Sequence, residues 1–143
     1  MYGLPDKVIQ TLQRTQNIAA RLVSGCRKYD HITPVLKDLH WLPVKQRIQF
    51  KILTLTFKAL NGLAPEYLLD LLTVKENART LRSSSELLLC VPKSHYKLYG
   101  DRAFCVDAPT LWNKLPSDIR KSKSLVSFKK NVKTLLFKIA FDC

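Results

Sequence analysis

Apolar and polar positions along this 143-residue chain repeat with helical spacing for most of its length, and the stretch from Asp30 to Leu72 carries the pattern best. There Pro43 suits a first helical position, and Asn61-Gly62 supplies a stop with a residue free to turn left-handed. One long helix of about 19 residues, nearly 30 Å, is predicted between them. At 100° per residue, Val44, Ile48, Ile52, Leu55 and Ala59 form one apolar face, and Phe50, Leu53, Phe57 and Leu60 form a second on the opposite side. The remaining stripe is Arg47, Lys51, Thr54 and Lys58, so the pattern predicts a helix gripped from two sides that shows solvent a single basic ridge.

The other elements follow from the same reading. A first helix is predicted from Asp6 to Ser24, closed by Gly25, with Val8, Leu12, Gln16, Ala19 and Val23, joined by Ile9 and Ala20, on one face. Thr33-Pro34 reads as a cap and first position for a short helix ending near His40. Trp41 is expected to anchor the corner before Pro43, because the residue preceding a proline avoids helical geometry. Pro65 opens a further short helix whose Tyr67, Leu68, Leu71 and Leu72 are available for burial. From Thr73 to Glu86 the sequence is polar and aperiodic, and reads as a surface connection. Leu87 to Val91 and Ala103 to Val106 are short apolar runs that suggest a two-stranded hairpin, although runs this short also fit buried helical pieces. A helix starting at Pro109 buries Leu111, Trp112 and Leu115, and Pro116 ends it. Ser124 caps a last helix to about Ala140, with Phe128, Val132, Leu135, Leu136 and Ile139 on its apolar side. The fold class is therefore mainly α: a small helical domain with one short β-hairpin. One domain over 1–143 is expected, with a helical part at 5–72, a connecting loop at 73–86, and short strands and C-terminal helices at 87–141.

Composition changes this picture in one respect. Hydrophobic residues at 46% and charged residues at 24% are ordinary for a globular chain, but 24 Lys and Arg against 11 Asp and Glu give +13. The excess is split: residues 1–64 carry +7, residues 65–92 carry −1 and residues 93–143 carry +7. Such a balance favours a polyanionic partner, nucleic acid or an anionic membrane surface, and of these RNA or DNA, held weakly and with strong salt dependence, is the expectation. Four sets of residues are candidates to hold it. Lys7, Arg14 and Arg21 recur every seven residues along the first helix; Arg47, Lys51 and Lys58 line the ridge of the long one; Lys129, Lys130 and Lys133 lie on the last. The fourth set is the segment from Lys93 to Arg102, where Lys93, Lys97 and Arg102 alternate with Tyr96 and Tyr99, a mixture suited to stacking unpaired bases while cations hold phosphates. The same cations also serve as solvated faces, and the same tyrosines as cover for the edge of a core.

Catalytic chemistry is not legible. The chain has four glycines, none in a phosphate-cradling loop, and its carboxylates are scattered singly. Cys26, Cys90, Cys105 and Cys143 form no Cys-x-x-Cys pair, and neither Cys26 with His31 and His40 nor Cys90 with His95 and Cys105 has the short ligand separations of a zinc site. No enzyme activity, cofactor, metal or small-molecule substrate is expected. The first residues lack an apolar signal core, and no apolar run approaches the roughly 18 residues of a spanning helix. An intracellular place, nuclear or cytoplasmic, is the expectation, with no membrane partner.

Four stretches occur together in an order that resembles one family: LQRTQNIAARLVSG, the whole of Asp30 to Leu72 with its LHWLP and NGLAPEYL blocks, LRSS, and GDRAFCVDAPTLWNKLPSDIRKSKSLVSFKKNVKTLLF. They are similar to the C-terminal end of reverse transcriptases of LINE-type (non-LTR) retrotransposons, in jockey-like and related animal lineages. The resemblance implies a segment beyond fingers and palm, thumb-like and post-thumb helices that help to hold template and primer. It also implies a polymerase domain upstream in full-length relatives, with a Tyr-x-Asp-Asp signature that has no counterpart here. No catalytic residue carries over. The expectation is a retrotransposon-derived fragment of an RNA-directed DNA polymerase, without its catalytic core, acting as an accessory RNA- or DNA-binding helical domain with no sequence readout. The alternatives are an interaction or structural module with solvated basic faces, or a non-functional remnant reading frame.

Overall fold

A computed structural model describes residues 4–75, 87–93 and 103–141. Among them seven helices follow in chain order: α1 (Asp6–Ser24), α2 (Ile32–Asp38), α3 (Val44–Leu60), α4 (Glu66–Asp70), α5 (Phe104–Asn113), α6 (Ser117–Arg120) and α7 (Leu125–Phe141). The architecture is mainly α. The long central helix is the organising element, with α7 and α5 packed along it and α1 and α4 against its ends.

Burial explains that arrangement. Leu53, Phe57 and Ala59 of α3 meet Phe128, Val132 and Leu136 of α7 and Ala108, Leu111 and Trp112 of α5 in one apolar core. At its centre the Phe128 ring stacks on Phe57 with centroids 4.3 Å apart and lies 5.7 Å from Trp112. These rings contribute both area and aromatic pairing to holding α3, α5 and α7 together. Ile52 and Leu60 pack beside them, half-buried. A smaller cluster of Ala20, Val35 and Leu36, with Trp41 and Phe141 against it, ties α1 and α2 to the far end of α7.

Punctuation residues set the helix ends. Gly25 closes α1 at φ 69°, a left-handed conformation that costs glycine nothing. At the end of α3, Gly62 is left-handed at φ 66°, and the Leu63 amide returns to the Lys58 carbonyl at 2.8 Å while the Gly62 amide reaches Ala59. That is a Schellman closure. At the start of α7, the Ser124 hydroxyl accepts from the Ser127 amide at 3.2 Å, the cap expected of it.

Four details differ from the sequence reading. First, α2 starts at Ile32, so Thr33 and Pro34 lie in its first turn, and Thr33 makes no cap. Second, α5 begins five residues before Pro109, because Phe104, Ala108, Leu111 and Trp112 form one helical stripe onto the core. Ala103 to Val106 is therefore the entry of a helix and not a strand. Third, Leu87 to Val91 pairs elsewhere: Leu89 forms a single antiparallel bridge with Val74, and the Asn113 side-chain amide clasps Leu89 from the other side, accepting from its amide at 3.0 Å and donating to its carbonyl at 2.8 Å. A side chain on α5 thus takes the place of the second strand.

The fourth difference is the setting of α1. Only Ala20 of its apolar set is buried, while Val8, Leu12 and Val23 remain 44%, 43% and 65% exposed. The helix turns its glutamine edge inward instead. Gln13 Oε1 accepts from the Val44 amide at 2.8 Å, and Gln16 Nε2 donates to the Leu42 carbonyl at 2.9 Å. Pro43 precedes α3 and gives it no side-chain cap, so Gln13 caps the long helix from another helix. Gln13→Ala is expected to destabilise the fold by about 1–2 kcal/mol, since it leaves a part-buried amide unpaired. Urea denaturation would detect this as a lower midpoint with an unchanged slope.

Candidate nucleic-acid interface

The basic ridge of α3 and the basic side of α7 lie along the same groove. One cavity of about 400 Å³ is lined by Arg47, Phe50, Lys51, Thr54, Leu55 and Lys58 of α3 together with Lys129 of α7. A second, of about 480 Å³, continues from Arg47 and Phe50 to His40, Trp41, Leu42 and Lys133. A third, of about 350 Å³, shares His40 and Lys133 and adds Lys130, Thr134, Phe137 and Lys138. Shared walls make these one continuous furrow. No carboxylate lines any of the three, so their cations add in one direction.

The reason lies in the packing. With Leu53 and Phe57 directed into α7, the residues at Arg47, Lys51, Thr54 and Lys58 fall along one flank of the contact. On α7, burial of Phe128, Val132 and Leu136 likewise sets Lys129 and Lys133 at the edge facing that flank, with Lys130 farther along, beside His40. From Arg47 to Lys58 the ridge runs about 16 Å, the axial length of about five phosphates on one strand.

The corner between α2 and α3 lies midway along the furrow, between the cavity on Lys51 and Lys58 and the one on Lys130 and Lys138. His40 is left-handed at φ 52°, and around it α2 ends in a second Schellman closure, with the Trp41 amide returned to the Leu36 carbonyl at 2.9 Å and the His40 amide reaching Lys37 at 3.0 Å. Histidine in this conformation costs about 1 kcal/mol or more that glycine would avoid. In exchange the imidazole stands at the junction of two of the cavities, its ring stacked on Phe137 at 5.9 Å.

No protein-family model matches this chain, and neither a curated protein nor a solved structure does. The interface therefore rests on its own geometry and on the sequence resemblance.

Of the residues named from sequence, Arg47, Lys51, Lys58, Lys129, Lys130 and Lys133 come together in the furrow. Lys7, Arg14 and Arg21 line none of its cavities. Lys7 and Arg14 are exposed on α1, and Arg21 donates through Nη2 to the Asp30 carbonyl at 3.1 Å, which braces the turn after α1. Lys93 is exposed beyond the Leu89 bridge, while Tyr96, Lys97, Tyr99 and Arg102 lie outside the described residues. Sequence reasoning missed Lys138 and the rings of His40, Phe50 and Phe137 as furrow residues. Lys138 was detectable, since it lies on the same side of a helical wheel as Lys130 and Thr134. The rings were not, because an aromatic with one face in a core and one in a furrow has the spacing of a core residue.

Among the described residues no three of His, Cys, Asp or Glu gather as metal ligands, and Cys26, Cys90 and Cys105 are free thiols. No described helix is long and apolar enough to cross a membrane.

Proposed function

We propose that this chain is a retrotransposon-derived piece of an RNA-directed DNA polymerase family, lacking the catalytic core, that holds RNA or DNA by its phosphates along the α3–α7 furrow. The observation that carries the binding is the convergence of two basic sets, 71 positions apart from Lys58 to Lys129 in sequence, on one furrow without a carboxylate. Contacts of lysine and arginine with phosphates position a strand and read no sequence, so the function is accessory grip. The family origin is supported by the joint occurrence of the LHWLP, NGLAPEYL and GDRAFCVDAPTLWNKLP blocks. On this reading the chain is not itself an enzyme, takes no cofactor, and works in the nucleus or cytoplasm.

The test is binding of the purified chain to labelled single-stranded RNA, duplex DNA and an RNA/DNA hybrid across a salt series, with circular dichroism to establish helix. Affinity that falls steeply and linearly on log–log axes supports the grip. A folded chain that binds none of the three, or binds without regard to salt, would sink it.

A second reading, an interaction module, is favoured by α1. Leu12, Ile18, Leu22 and Val23 are 43%, 60%, 79% and 65% exposed, and together they leave an apolar stripe uncovered among the described residues. In that reading the stripe makes the chain self-associate as concentration rises, and the double substitution Leu12→Lys with Leu22→Lys abolishes the association while moving stability by less than about 0.5 kcal/mol per site. Sedimentation equilibrium of both proteins decides it. A chain monomeric at every concentration, before and after substitution, leaves the stripe idle and removes the support for this reading.

A further inference from the structure

We propose that the middle of the furrow, at the corner between α2 and α3, takes one unpaired base of a single-stranded nucleic acid, with Arg47 and Lys133 on the flanking phosphates. The proposal rests on the furrow being a nucleic-acid grip, and it specifies which form of nucleic acid and where.

Three observations carry it. The cavity of about 480 Å³ is within the size range of small-ligand sites, and three of its six lining residues are aromatic: His40, Trp41 and Phe50. The other cavity on Arg47, lower along α3, has Phe50 as its single ring, so stacking surface is concentrated at the corner. Trp41 and Phe50 are also fixed. Trp41 packs on the cluster of Ala20, Val35 and Leu36, Phe50 packs on the main core, and both stay half-buried with surface left toward the cavity. Rings held in this way stack on a base without first losing side-chain freedom. Finally, the polar lining consists of cations and an imidazole with no carboxylate, which suits a base bearing phosphates on either side. Bases inside a duplex are stacked on one another and cannot enter, so the site discriminates single strands from double strands.

Tryptophan emission reads the site directly. The chain has two tryptophans, and Trp112 is 1% exposed with its indole N–H donated to the Leu87 carbonyl at 2.8 Å, so a ligand that quenches emission reports on Trp41. The unmodified chain is titrated with a single-stranded RNA of about ten nucleotides, an abasic strand of the same length, and a duplex. Quenching by the RNA alone, with salt-dependent binding of all three by anisotropy, supports the base site. Phe50→Leu then weakens the RNA about tenfold and leaves the abasic strand unchanged. Because Phe50 also packs on the core, a second arm needs no substitution: a nucleoside monophosphate quenches where ribose 5-phosphate does not. Three ligands that bind equally without quenching overturn the base site and leave the phosphate grip intact, whereas a folded chain that binds none of them overturns both.

Discussion

Converting Arg47, Lys51 and Lys58 together to glutamine is expected to flatten the log–log salt dependence of single-strand binding by about 2 units, at about 0.7 per phosphate contact removed. Converting Lys129, Lys130 and Lys133 gives a similar change, and the two triples together remove about 4 units. The equality is the informative part. The two sets lie on opposite walls of one furrow, so a strand lying in it meets both, and neither wall dominates. Lys7 and Arg14 lie on α1 away from those cavities, and their conversion to glutamine is expected to change the slope by well under 1 unit. Titrations between about 50 and 300 mM salt, each with a circular dichroism control, resolve the three cases. A loss shared evenly by all three sets would mean that the strand is held by overall charge and not by the furrow. The control matters for Lys58 and Lys129, which are half-buried, so their stems cover apolar surface that glutamine covers less well.

The helices were legible because their ends are written in residue types whose backbone preferences are strong. Pro43 before α3, Gly25 and Gly62 at two C-terminal ends, and Ser124 before α7 each act within one turn, and a reading of single residues suffices. Contacts between elements were not legible in that way. Gln13 caps α3 across 31 positions and Asn113 stands in for a strand across 24, and in sequence both are ordinary polar residues. The rotation of α1 accompanies the first of these: Gln13, Gln16 and Ala20 turn inward, and Val8, Leu12 and Val23, on the flank beyond Gln16, are left outward. The start of α5 was misplaced because Pro109 reads as an opening residue. In the fold it sits mid-helix, where it lacks an amide for the Cys105 carbonyl and is held by nearly complete burial of its ring. For the furrow, the sequence supplied both sets of cations and could not say that they meet. That depends on which faces of α3 and α7 enter the core, and on α3 two apolar faces competed for the place.

Phe128→Ala is expected to cost about 3–5 kcal/mol, against a total stability of about 5–15 kcal/mol for a domain of this kind. The side chain is fully buried, stacked on Phe57 and close to Trp112, so its loss removes the contact through which α7 grips both α3 and α5. Val126, two positions earlier on the same helix and 79% exposed, provides the control, and Val126→Ala should move stability by less than about 0.5 kcal/mol. Urea midpoints measure both. The consequence for binding separates the two walls of the furrow from the charges they carry. When α7 is undocked, Lys129 and Lys133 no longer face the ridge of Arg47, Lys51 and Lys58, so Phe128→Ala loses affinity in proportion to its unfolded fraction. Conditions that refold it, such as sucrose, recover that affinity with the full salt slope. The glutamine triples behave in the opposite way, since they keep the fold, lose the slope and gain nothing from sucrose. If Phe128→Ala unfolds and still binds single strands with an undiminished salt slope, the cations act as a string of charges, and the furrow built by α3 and α7 has no part in the grip.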